Sequence, residues 1–174
     1  MQKLLIVGCG DIARRTLPLL LDHYQVFALL RDAEQCAFWR AGGARPLLGD
    51  LDRAASLKRI SGLADVVLHF APPADSGTRD LRTQQLLAAL SRAKSLPQHL
   101  IYISTSGVYG DCSGARIDET RRLQPATARA LRRADAERQL RRFGARTGVR
   151  VSILRAPGIY AADRLPLERL RKGV

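Results

Sequence analysis

Apolar residues fall along this chain in two alternating rhythms. Short runs dense in Leu, Val and Ile come at residues 3–7, 25–30, 45–48, 66–70, 99–104 and 151–155. Between them, apolar positions recur at the three-to-four spacing that lays a stripe along a helix, over 12–22, 33–41, 53–60, 78–94 and 128–142. In the segment 78–94, for example, Leu81, Leu86, Leu87 and Leu90 share one face. Strands separated by helices join most readily in parallel, and a parallel sheet covered on both sides reads as continuous apolar runs. The alternation therefore predicts an α/β fold: a Rossmann-type doubly wound parallel sheet of about six strands with helices on both faces, in a single domain over 1–174.

Punctuation supports the same division. Gly42-Gly43 ends the second helix, Pro72-Pro73 closes the fourth strand, and Pro157-Gly158 turns the chain after the sixth. A last amphipathic helix is expected over 164–172. Residues 105–126 carry Gly107, Gly110, Gly114 and Pro125 with little periodicity, which predicts a long loop, and loops of that length usually carry function.

Composition narrows the class. At 174 residues and 46% apolar, the chain can bury one full core. No run approaches the length that spans a bilayer, and residues 4–7 are too short for a signal-peptide core, so a cytoplasmic place without membrane contact is the expectation. Cys9, Cys36 and Cys112 have neither zinc spacing nor a CxxC pair and read as free thiols; no metal role falls to His23, His69 or His99, each beside a strand terminus. His69 is expected to meet the cofactor pocket through its backbone.

The net charge of +13 raises nucleic acid or another polyanion as partner. Four of the 29 basic residues are Lys, leaving 25 Arg scattered in small groups, and no nucleic-acid motif accompanies them, which argues against that function. The densest group, Arg129, Arg132, Arg133, Arg138, Arg141, Arg142 and Arg146, is interspersed with Asp135 and Glu137 and reads as a solvated helix face.

The strongest chemical signal is Gly8-Cys9-Gly10-Asp11-Ile12-Ala13, a GxGxxA sequence between an apolar strand and an amphipathic helix. Gly8 permits the tight turn, Gly10 lets backbone approach a pyrophosphate, and Ala13 lets helix and strand close up, with helix N–H groups facing the anion. A dinucleotide is thus expected at Gly8 to Ala13. After the second strand comes Arg31-Asp32, a cation where a 2′-phosphate would lie and a carboxylate one position late, so NADP(H) is favoured over NAD(H). Alternatively, Arg31 is solvated and Asp32 caps the next helix. Asp50, in Gly49-Asp50-Leu51, either accepts from an adenine amino group or caps the helix that follows.

These motifs, with His69-Phe70-Ala71, Ser104-Thr105-Ser106-Gly107-Val108-Tyr109-Gly110 and Leu154-Arg155-Ala156-Pro157-Gly158-Ile159-Tyr160 in order, resemble the short-chain dehydrogenase/reductase superfamily, in particular its extended epimerase/dehydratase branch. The resemblance implies a cofactor site that adds Asp50, Leu51, Phe70, Ala71, Pro72, Ser104, Thr105 and Pro157 to the glycine loop and Arg31. It implies that Thr105 hydrogen-bonds the reacting carbonyl or hydroxyl, where the local reading is a turn hydroxyl. The branch also uses a tyrosine base and a lysine one helical turn later. Aligned on Ala136-Glu137, those positions are Arg129 and Arg133. Arginine stays protonated and cannot act as that base, although it can bind phosphate or polarise a carbonyl. Tyr109 and Tyr160 read as packing residues.

The chain thus resembles the atypical members that keep the glycine motif and lack the tyrosine-lysine pair. Two functions follow: an NAD(P)-binding oxidoreductase or epimerase acting on a nucleotide-sugar-like or other carbonyl substrate, or a non-catalytic NADP-sensing regulator. The extended family runs on beyond strand six into a region that closes over the substrate, so at Val174 the expectation is a truncated member or a piece of a longer protein. One chain or a homodimer stays open, two-helix dimer faces being common in the superfamily.

Overall fold

The structure, a computed structural model, describes residues 1–165 and 167–173. Six strands, β1 (Gln2–Val7), β2 (Tyr24–Leu30), β3 (Arg45–Leu48), β4 (Val66–His69), β5 (His99–Thr105) and β6 (Arg150–Ala156), form one sheet in the order β3-β2-β1-β4-β5-β6. Every neighbouring pair is parallel. Helices α1 (Asp11–Leu21), α2 (Gln35–Ala41), α3 (Leu81–Leu90), α4 (Ala128–Thr147) and α5 (Leu167–Arg171) complete the described elements, with 3-10 turns at Ala54–Ile60 and Ser106–Tyr109.

Side-chain alternation along the central strand explains the layering. Leu5 and Val7 of β1 enter a core that also holds Leu57, Leu86, Tyr102, Leu140 and Phe143. Leu4 and Ile6 enter a second core on the opposite face, with Leu17 of α1 and Trp39 of α2. β1 is therefore apolar at both parities, as a strand covered on two sides must be.

Several boundaries differ from the expectations for local reasons. The helix expected over 78–94 starts at Leu81, because Asp80 caps it by accepting from the N–H groups of Arg82 and Thr83. The helix expected over 128–142 runs on to Thr147, where Gly148 takes a left-handed φ of 76° and ends it. The short helix expected over 53–60 is a 3-10 turn over Ala54–Ile60. Of the terminal helix expected over 164–172, the structure describes Leu167–Arg171, and position 166 lies outside the described residues.

The loop expected over 105–126 is partly ordered: Thr105 belongs to β5, and residues 106–109 bury Val108 and Tyr109. Gln124 donates its N–H to Val108 O at 3.0 Å, and a Cβ on Gly110 would stand 2.2 Å from Gln124 O, so the loop doubles back on its own root.

Helix α4 corrects the reading of a solvated basic face in part: Arg129, Arg138, Arg141, Arg142 and Arg146 are exposed as expected, and four other charged residues are not. Arg132, Arg133, Asp135 and Glu137 are all buried, because α4 packs on α3, β5, β6 and the turn at 106–109 together. The arginines find oxygen partners at those contacts: Arg132 donates to Gly77 O at 2.8 Å, and Arg155 of β6 forks onto Glu137 at 2.8–3.2 Å.

Candidate functional site

Strand order reverses between β1 and β4, and at the carboxyl ends of the strands there the chain leaves a cleft of about 1280 Å³. Its floor is the turn from β1 into α1. Gly8 has φ 96°, and a Cβ on it would lie 2.1 Å from Ala71 N, so only glycine fits. Val7 O accepts from the N–H groups of both Phe70 and Ala71, at 2.7 and 2.9 Å, which clamps the turn onto the end of β4. A Cβ on Gly10, by contrast, would meet nothing within 4 Å. No side chain caps the start of α1, which leaves first-turn N–H groups for a ligand.

The predicted residues gather here. Gly8, Cys9, Gly10, Asp11 and Ile12 line the cleft from the turn into α1 and its start, Arg31 from just beyond β2, Asp50 and Leu51 from the β3 loop, Phe70, Ala71 and Pro72 from the β4 end, Ser104 and Thr105 from β5, and Pro157 from beyond β6. Ala13 is not among the lining residues. It is wholly buried in the core beneath, where its small side chain lets α1 approach the sheet.

The lining residues differ in what they have left to offer. The Cys9 Sγ donates to Leu29 O at 3.3 Å, and burial pushes the thiol up to about 12 against the charge of Arg14, so it stays protonated. Asp50 accepts from Asp52 N and Asp32 from Glu34 N, each at 2.9 Å, so both carboxylates brace their own turns. The Ser104 hydroxyl is committed inward, donating to Glu137 Oε1 at 2.6 Å. The Thr105 hydroxyl accepts from Gly107 N at 3.3 Å and keeps its proton for the cleft.

Arg129 and Arg133 also line the cleft. The Arg133 Nη1 donates to Tyr102 Oη at 3.0 Å and to Ile103 O at 2.6 Å. Burial pushes the Tyr102 phenol up to about 12, although the Arg133 charge pulls the other way, so that phenol is no substitute base. Tyr109 is buried away from the cleft, its hydroxyl accepting from Arg155 at 2.7 Å. Tyr160, expected as a packing residue, is 73% exposed.

His69 corrects another expectation. It does not line the cleft; its ring lies wholly buried against Tyr102, with Nε2 2.8 Å from Thr83 Oγ1. Sequence reasoning also missed Arg82, which closes the cleft's side by forking onto Asp52 at 2.6 and 2.8 Å and donating to Pro72 O. A partner 30 residues away leaves no local signal. Among the described residues no helix is long and apolar enough to cross a membrane, and no cluster of His, Cys, Asp and Glu could hold a metal ion.

Comparison with known proteins agrees with this geometry. A family described as NAD(P)H-binding matches residues 8–173. The chain is 27% identical over 175 aligned residues to the 4-hydroxy-2-methyl-3-oxo-4-farnesyl-3,4-dihydroquinoline-1-oxide ketoreductase of Stigmatella aurantiaca, an alignment covering 94% of this chain and 52% of that enzyme. Among solved structures, the UDP-Glc/GlcNAc 4-epimerase of Campylobacter jejuni superposes with a TM-score of 0.76 at 20% identity, over 89% of this chain and 53% of its own. The UDP-glucuronic acid 4-epimerase of Bacillus cereus, in complex with NAD, does so with 0.74 at 24%, over 91% and 57%. The chain thus spans about half the length of these proteins. It belongs to the NAD(P)H-binding family, on the fold of the extended, epimerase/dehydratase branch of the short-chain dehydrogenases/reductases.

Proposed function

We propose that the chain holds NADP(H) in this cleft and serves an oxidoreductase- or epimerase-like reaction at a carbonyl group. The carrying observation is the glycine turn: Gly8 is locked against Ala71, Gly10 opens onto free space, and the start of α1 has no side-chain cap. Those N–H groups suit a pyrophosphate. Arg31 supports NADP(H) over NAD(H), because it lines the cleft and has no carboxylate partner among the described residues, while Asp32 is engaged by Glu34 N.

The cofactor, when bound, supplies or accepts a hydride. Thr105 orients the carbonyl by donating the hydroxyl proton that its bond from Gly107 leaves free. Arg129 and Arg133 cannot move a proton, so water or a residue of the 105–126 segment does so. The ketoreductase name of the Stigmatella relative fits a carbonyl substrate. Three free thiols fit a cytoplasmic place.

A regulator that binds the cofactor without turnover is the second reading, favoured by one observation: Arg133 is built into the core through Tyr102 and Ile103. Calorimetric titration with NADPH and NADH, in wild type and Arg31→Ala, tests the proposal. Tighter NADPH binding that Arg31→Ala selectively weakens is expected. Failure to bind either cofactor overturns both readings, and binding without reduction of any carbonyl leaves the regulator.

A further inference from the structure

We propose that Arg129 and Arg133 form an oxyanion site at the β5 side of the cleft, which takes a carboxylate or phosphate carried by the substrate. The proposal rests on the cofactor reading in one respect, that substrate and cofactor share the cleft.

Arg133 is 7% exposed, yet no carboxylate among the described residues pairs with it. Its Nη1 is spent on Tyr102 and Ile103, its guanidinium lies 5.5 Å from the Tyr102 ring centre, and its Nε is buried with no partner. A permanently charged group held out of water with no direct ion pair is costly, which points to a partner from outside.

The acids around it are engaged elsewhere. Glu137 is taken by Arg155, Arg141 and Ser104, Asp135 by Arg138, Gln139 and Asp80 N, and Asp80 by the start of α3. Two other arginines on the rim make the contrast, Arg82 pairing with Asp52 and Arg164 with Asp11, while Arg14 lies over the Phe38 ring and Arg31 is left for the cofactor.

Arg129 lies one helical turn before Arg133, which puts the two side chains on one face of α4 about 5–6 Å apart at Cβ. It is exposed, lines the same cleft, and has no hydrogen-bond partner among the described residues. Thr105, with its free hydroxyl proton, lines that cleft too. Two guanidinium groups and a hydroxyl form a receptor for an oxyanion, and the planar fork of arginine suits carboxylate and phosphate alike. The cofactor's own phosphates have the glycine turn and Arg31, so the ligand left for this pair is the substrate. The class assigned is a carbonyl compound bearing a carboxylate or phosphate.

The test uses 15N-labelled protein, first saturated with NADPH and then titrated separately with oxalate and inorganic phosphate, following arginine Nε–Hε signals. The expected result is a saturable shift that Arg129→Gln weakens about tenfold, the loss of one charge-assisted hydrogen bond. Arg142→Gln, an exposed change on the same helix, leaves it unaltered. Arg133→Lys, which keeps the charge and loses the fork, weakens it as well. Tighter oxalate marks a carboxylate substrate, and tighter phosphate a phosphorylated one. Equal affinity in wild type and Arg129→Gln, or no shift with either anion, overturns the proposal. NADPH affinity is read in the same samples. If NADPH fails to bind, the cofactor reading falls, and the titration of the free protein still decides, since only the component lost in Arg129→Gln belongs to this site.

Discussion

Gly8 and Gly10 stand two positions apart under opposite constraints, and substitution separates them. Alanine at position 8 would need φ 96° and would drive its Cβ to 2.1 Å from Ala71 N, so Gly8→Ala should lower stability by about 1–3 kcal/mol and remove cofactor binding together. Gly10→Ala meets nothing within 4 Å among the described residues and should unfold in urea within about 0.5 kcal/mol of wild type, while NADPH affinity should fall if the pyrophosphate approaches there. Equal affinity in wild type and Gly10→Ala would place the pyrophosphate elsewhere. His69 gives a second residue-scale prediction. Thr83 Oγ1 donates to Asp80 at 2.7 Å, so its oxygen receives the proton of His69 Nε2, and the imidazole is neutral. Burial, aided by the Arg133 charge, pushes His69 down to about 3. Between about pH 6.5 and 3 the unfolded chain then binds a proton that the folded one refuses, so stability falls as pH drops through that window. The loss between pH 7 and 5 comes to about 2 kcal/mol, and His69→Gln should remove it from the urea-unfolding free energy. The glycines were legible in the sequence because their demands are local. The role of His69 was not, since it depends on Thr83 and Asp80 in another element.

At the scale of elements, α4 shows where reading charge as exposure fails. Its start at residue 128 was legible from periodicity, but the burial of its charged residues depends on Ser104 and Arg155, which only the folded sheet brings near. Burial alone would raise Glu137, but hydrogen bonds from Arg155 and Ser104, with the charges of Arg155 and Arg141, hold its carboxyl below the usual range. That stabilisation is present above the unfolded value and is lost as pH falls through the lower folded one, so it adds a second acid limb that opens at the ordinary carboxylate value, inside the His69 window. Glu137→Ala strands the cation of Arg155 and the hydroxyl of Ser104 at once, and should cost about 3–5 kcal/mol in thermal or urea unfolding. A cost under 1 kcal/mol would mean that Arg155 finds another partner without strain.

For the whole molecule, the alternation of strand and helix left little choice of topology, and the order β3-β2-β1-β4-β5-β6 puts the cleft at the reversal between β1 and β4. The cleft is lined from the ends of β1, β2, β4 and β5, so a cofactor bound in it should stabilise the sheet as a unit. At a hundred times its dissociation constant NADPH should raise the unfolding free energy by about 2.7 kcal/mol. Hydrogen exchange should show the gain in β1, β4 and β5 together and not in the glycine turn alone. The two hydrogen bonds from Phe70 and Ala71 onto Val7 O have a kinetic corollary. A turn already clamped in its binding shape has no rearrangement to wait for, so the association rate in stopped flow should climb linearly with NADPH concentration and show no plateau.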